Sequence, residues 1–143
     1  RSLAVFQRGT ARRRLRLVVH SFSMPTTPVG PQIIQNTLSH DVAAFDFLPV
    51  FYPSSSRQHG GGNLEMYSHS GEEFIYILEG IATIQLESIQ YTLYPGDSIQ
   101  IHSNERHNWM NHTNKVVRLL TVNIPNPFRS IESGHIMPPD LTL

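Results

Sequence analysis

The sequence of 143 residues predicts an all-β domain, either a sandwich or a closed barrel of short strands. Three observations carry this. From Ile33 onward, short runs of Val, Ile, Phe, Tyr and Thr are punctuated by Pro, Gly, Asn and Ser. No stretch sustains the helical period of about 3.6 residues. The turn signals recur at nearly even intervals, as they must if strands follow one another around a barrel that leaves no exposed sheet edge. The length suits one domain with one core and is too short for two.

The alternation places strands at Gln32–Leu38, Ala44–Tyr52, Leu64–His69, Phe74–Leu78, Ala82–Glu87, Tyr91–Tyr94, Ser98–His102, His107–Asn111 and Val116–Val122. Each gap carries turn chemistry: SSSRQHGGGN, HSGE, Glu79-Gly80, ESIQ, Pro95-Gly96-Asp97, SNER and HTNK. Ahead of the strands, Met24 to Gln32 concentrates proline, threonine and glycine and reads as a linker or an extended edge segment. The organisation expected is a basic leader and linker over 1–31, the domain over 32–125, and an irregular tail over 126–143. No internal repeat is present.

Composition excludes several classes. No apolar run approaches the ~20 residues of a membrane helix, so no membrane partner is expected. There is no cysteine, which removes disulfides, thiolate zinc sites and cysteine nucleophiles. Any metal must therefore be held by nitrogen and oxygen. The formal net charge of zero hides an asymmetry, because Arg1, Arg8, Arg12, Arg13, Arg14 and Arg16 all precede the first acid, Asp41. Such a leader suits phosphate contact, the tail of a preceding domain, or a solvated arm. It lacks the apolar core and cleavage site of a secretory signal, and a mitochondrial presequence ranks below the other readings. The expected location is the cytoplasm.

The chemistry concentrates in YSHSGEEFIYILEG and YPGDSIQIHSNERHNWMN. Tyr67 and His69 are two apart on an expected strand and so share a face. Glu73 follows across the turn Ser70-Gly71-Glu72, which brings a carboxylate beside the histidine. Glu72 points the other way, into solvent. In the second stretch a Pro-Gly-Asp turn feeds a strand, and His107 opens the next one as the natural third member. Trp109, two beyond His107, supplies apolar wall to the same cavity. His20, His40, His59, His112 and His135 lack comparable spacing and read as surface or loop residues. His102 reads as a strand-end histidine bonded to backbone, and Arg57, Arg106 and Lys115 as solvated cations in turns.

Over Gly62 to Asn111 these motifs resemble the cupin superfamily, whose first motif is G-x5-H-x-H-x3,4-E-x6-G and whose second is G-x5-P-x-G-x2-H-x3-N. Two positions depart: Tyr67 replaces the first histidine, and Arg106 stands where a proline often precedes the second-motif histidine. The resemblance implies a double-stranded β-helix, or jelly-roll barrel, and carries His69, Glu73 and His107 over as metal ligands. A 2-His-1-carboxylate set leaves open coordination positions. It is associated with non-haem Fe(II), and it also accommodates Zn, Ni, Mn or Co. Alternatively the same three side chains, with Tyr67 and Trp109, hydrogen-bond and enclose an organic ligand.

The runs E-x-YSH-x-GEEF-x-Y-x-LEG, Y-x-L-x-PGDS and VNIPNPF further resemble the C-terminal cupin domains of bacterial XRE-type helix-turn-helix regulators. That resemblance implies a sensor that binds a small-molecule effector and pairs as a homodimer. It touches DNA only through a helix-turn-helix domain that this chain lacks. The alternative is a mononuclear non-haem iron enzyme, oxygenase- or epoxidase-like, with Tyr67 as the one candidate acid. The sensor is favoured because the motifs show no second catalytic group.

Overall fold

The computed structural model describes residues 14–30, 33–55 and 66–129. The start of the leader, Arg57, His59, Leu64, Glu65, His135 and the tail from 130 onward lie outside the described residues. After a 3-10 turn at Ser21–Ser23 the described residues form nine strands: β1 (Thr26–Gly30), β2 (Ile33–Thr37), β3 (Leu48–Ser55), β4 (Glu72–Glu79), β5 (Ala82–Leu86), β6 (Ile89–Leu93), β7 (Ser98–His102), β8 (His107–Met110) and β9 (Val117–Ile124). They form two antiparallel sheets, of order β1-β2-β3-β9-β4-β7 and β6-β5-β8.

Period-two alternation builds the core. In β4, Glu73, Ile75 and Ile77 are buried while Glu72 is exposed. In β9, Val117, Leu119, Thr121 and Asn123 are buried between exposed or half-buried neighbours. Leu48, Val50 and Tyr52 of β3, Ala82 and Ile84 of β5, Ile101 of β7 and Trp109 of β8 complete the apolar cluster. Each fully buried aliphatic side chain stabilises the fold by about 1.5–3 kcal/mol. Register then fixes the level of each group: Glu73 lies opposite Asn123 on one side and Ile101 on the other, and Ile75 opposite Thr121. The polar inward residues therefore gather at one end of the barrel, with the aliphatic ones beneath them.

Glycine is required at Gly71, where φ is +106° and an added Cβ would lie 2.0 Å from the Ile124 carbonyl oxygen. This turn carries the chain from His69 into β4.

Most expected strands are present, with shifted ends. The segment expected to be an extended edge or a linker forms edge strand β1. Ala44 was expected to open a strand but closes a 3-10 turn, Val42–Ala44, and β3 starts only at Leu48. The cause is distant in sequence: the Asn126 side-chain amide donates to the carbonyls of Val42 (2.6 Å) and Phe45 (2.9 Å). The expected strand Leu64–His69 appears, in its described part, as an isolated bridge between Tyr67 and His107. Among the described residues no helix is long and apolar enough to cross a membrane.

Candidate metal and ligand site

The segment 67–71 forms no strand of its own, because its backbone bonds go to the first residue of β8 and then to the turn before it. Tyr67 and His107 exchange both backbone hydrogen bonds at 2.9 Å; His69 N–H donates to the Ser103 carbonyl, and Ser103 N–H to that of Gly71, both at 2.8 Å. This docking sets His69 beside β4 and β8, whose register supplies Glu73 and His107. The ligating atoms of His69, Glu73 and His107 all lie within 4.8 Å of one another. The two imidazoles meet edge to face, with centroids 5.4 Å apart.

The hydrogen bonds set the tautomers. His107 Nδ1 lies 2.7 Å from the Glu105 carbonyl and His69 Nδ1 3.3 Å from that of Ser70. A carbonyl can only accept, so both Nδ1 atoms carry the proton and both Nε2 atoms are free to ligate. His107 Nε2 lies 2.9 Å from Glu73 Oε1, and both side chains are 4% exposed. That contact needs a proton on one partner or the other. His69 Nε2 is buried with no partner among the described residues.

Burial lowers the His107 pKa. The hydrogen bond and charge of Glu73 and the bond to the Glu105 carbonyl outweigh it, and the net shift is upward. Tyr52 was not foreseen from the sequence. It is 1% exposed, packs edge-on against Trp109 at 5.4 Å, and its phenol is pushed far above its ordinary value by burial and then by the Glu73 charge.

A divalent ion fits this set on two observations. One is the orphaned, buried His69 Nε2. The other is the 2.9 Å separation of His107 Nε2 from Glu73 Oε1, which matches the roughly 3 Å between adjacent ligand atoms each held at about 2.1 Å from one ion. The carbonyls on the two Nδ1 atoms are the outer partners that orient metal-binding histidines.

Trp109 is buried and lines a narrow cavity with Glu73, Ile75, Ile84, His107 and Asn108, with room for about one water. Tyr67 is half-buried and holds His107 through its backbone. His102 does not take the backbone partner expected for it; its ring faces Glu72 across the strands at 4.0 Å, both exposed. Arg106 and Lys115 are exposed, as read from the sequence. Three further buried atoms near the site lack partners among the described residues: Ser103 Oγ, Thr121 Oγ1 and Asn123 Oδ1. Sequence reasoning missed them. The one available signal was a Thr and an Asn at alternate positions near the end of the apolar strand VRLLTVNI.

Residues 56–123 match the family model described as Cupin domain (Cupin_2). No curated protein matches the sequence significantly. Among solved structures, hydroxypropylphosphonic acid epoxidase from S. wedmorenis superposes with a TM-score of 0.64 at 16% identity, over 76% of this chain and 59% of that one. KdgF from Halomonas sp. gives 0.59 at 17% identity, over 75% and 92%. The Cupin_2 domain of an XRE family transcriptional regulator from Enterobacter cloacae gives 0.53 at 14% identity, over 65% and 96%. The chain thus spans about three-fifths of the epoxidase it matches, and at these identities the likeness is one of fold. The two antiparallel sheets, the motif residues on them and the family match over residues 56–123 together identify a cupin domain in this chain.

Proposed function

We propose that this chain is the metal-dependent, small-molecule-binding sensor domain of a transcriptional regulator. His69, Glu73 and His107 hold one divalent ion, and the effector binds beside it. The observation that carries the metal is the pair of imidazoles whose Nδ1 atoms are fixed by carbonyls while their Nε2 atoms face one carboxylate. Support for the sensor is the resemblance to XRE-type regulators together with the likeness to one such cupin domain. Among the described residues no lysine or arginine is buried, so these residues offer no side-chain cation to anchor a substrate beside the ion. Tyr67 and Trp109 complete the ligand-binding set in this reading, and a homodimer transmits the change to DNA through a domain outside this chain. The coupling free energy of such switches is typically ~1–3 kcal/mol.

A second reading, a mononuclear non-haem iron enzyme, is favoured by the likeness to an iron epoxidase over 76% of the chain. There the bound ion would supply a Lewis-acid centre with open positions. Glu73 and the histidines would hold it, Trp109 would exclude water, and Tyr67 would be the proton donor.

Elemental analysis of the purified protein decides first. Near-stoichiometric iron, zinc, nickel or manganese in wild type, lost in His107→Ala, supports the site. No metal under supply of each ion overturns both readings as metalloproteins. Oxygen uptake by the Fe(II)-loaded protein with a bound small molecule then separates enzyme from sensor.

A further inference from the structure

We propose that the outer edge of β6 is the seam of a symmetric homodimer, in which β6 pairs antiparallel with β6 of a second copy about a two-fold axis at Tyr91. This rests on the homodimer of the reading above and deepens it by naming the surface; it does not depend on what the His69, Glu73 and His107 site holds.

β6 ends the three-stranded sheet, with β5 on one side and no strand on the other among the described residues. Such an edge invites a further strand unless charge, proline or a bulge protects it. The other three edges differ from it. β1 carries Pro28 and a break in register. β8 is met at its first residue by Tyr67. β7 keeps its inward Ile101 buried and Ile99 half-buried. β6, Ile89-Gln90-Tyr91-Thr92-Leu93, has no charge and no proline, and its register with β5 is unbroken. Ile89 and Tyr91 lie opposite Leu86 and the core residue Ile84 and so share their inward face, yet they are 53% and 39% exposed. Apolar side chains that point inward and still meet water are what a partner at this edge would cover.

The pattern of the strand selects a second copy as that partner. Glu87 N–H donates to the Arg106 carbonyl at 2.7 Å, on the β8 side. Alternation then turns the backbone of Leu86 toward β6, and that of Ile89, Tyr91 and Leu93 back toward β5. Gln90 and Thr92 are left with their N–H and C=O groups pointing outward. The next outward donor, Tyr94 N–H, is taken by Asp97 Oδ2 at 2.8 Å. A two-fold axis at Tyr91 sets Gln90 opposite the partner's Thr92, so the outward groups of each copy close on those of the other. On the inward face Tyr91 meets the partner's Tyr91, and Ile89 the partner's Leu93; on the opposite face glutamine meets threonine. The strand thus reads the same in polarity from either end, as a self-complementary contact requires. The acids that bound it are held at home, Glu87 by Arg106 N–H and Asp97 by Tyr94 N–H. The seam lies one strand from the candidate site, since Leu86 pairs with Ile89 on one side and with His107 on the other.

The chain has no cysteine, so one introduced thiol reads the seam without background. Facing residues of a non-hydrogen-bonded antiparallel pair lie about 4.5 Å apart at Cα, within disulfide reach. Tyr91→Cys should therefore cross-link into dimers with oxidised glutathione. Gln90→Cys, one residue off the axis and more than about 7 Å from its own symmetry mate, should not. Sedimentation of wild type over about 1–200 µM should show dimer formation. Thr92→Pro removes an N–H that points away from β5, and should weaken the dimer at least tenfold with the circular dichroism spectrum unchanged. If Thr92→Pro fails to fold, the cysteine pair decides. Equal cross-linking by both cysteine variants, none by Tyr91→Cys, or an unchanged dimer in Thr92→Pro overturns the seam and leaves a homodimer through another face. A wild type that is monomeric throughout overturns the seam and the homodimer together. Metal content, measured on every sample, reports on the site separately from the seam.

Discussion

His107 and Glu73 share a proton in the metal-free protein, since Nδ1 is already spent on the Glu105 carbonyl and the 2.9 Å contact at Nε2 still needs a hydrogen. A divalent ion must displace that proton, so metal uptake and acidity compete. The sign follows from the raised folded-state pKa of His107. Its contribution to metal-free stability is fully present below the unfolded value of 6.5 and is lost as pH rises through the folded value. Metal binding strengthens over the same range. The thermal shift produced by zinc should therefore widen from about pH 6 to about pH 8, and in His107→Ala this widening should vanish, as read by scanning fluorimetry. The triad was legible because its three members fall within two short motifs. Tyr52, Thr121 and Asn123 were not, because their inward direction depends on pairing 48–52 with 119–123. In VRLLTVNI the outward residues Leu120, Val122 and Ile124 are as apolar as the inward ones, so the sequence leaves the face open.

At the scale of the element, the turn at Gly71 decides whether His69 and Glu73 meet. Two constraints coincide there, a positive φ and a backbone oxygen of β9 where a side chain would go. At Gly96 φ is +91°, yet nothing lies within 4 Å of an added Cβ. Gly96→Ala should thus cost only backbone strain, about 1–2 kcal/mol. Gly71→Ala should cost about 2–5 kcal/mol, strain plus overpacking, and should lower metal content as well. Urea melts with metal analysis check both, and equal costs at the two glycines would refute the crowding argument. The expected strand over Leu64–His69 shows the limit of period-two reasoning. The alternation of Tyr67 and His69 was real, but a strand also needs a continuous ladder, and the described part of this segment bridges only the first residue of β8 before its bonds pass to the turn at Ser103. The late start of β3 has the same origin, since Asn126 holds the 42–45 turn from far along the chain.

For the whole molecule, the all-β architecture was readable from alternation and turn residues, whereas the division into six strands and three was not. That division follows from long-range pairing such as β3 with β9 and β5 with β8, which no local pattern encodes. Beneath the site, Ile77 and Leu119 are 0% exposed and face one another across β4 and β9. Ile77→Ala should destabilise by about 2–5 kcal/mol with unchanged metal stoichiometry at low temperature, which separates the packed floor from the polar end. The partition between sheets has a further consequence. Glu73 belongs to the six-stranded sheet and His107 to the three-stranded one, while His69 sits on the segment running between them. An ion held by all three is thus a reversible cross-link between two layers that otherwise meet through side-chain packing. Its occupancy would govern how readily β8 parts from β4, so that amide exchange along 107–110 becomes a gauge of how much metal the protein carries.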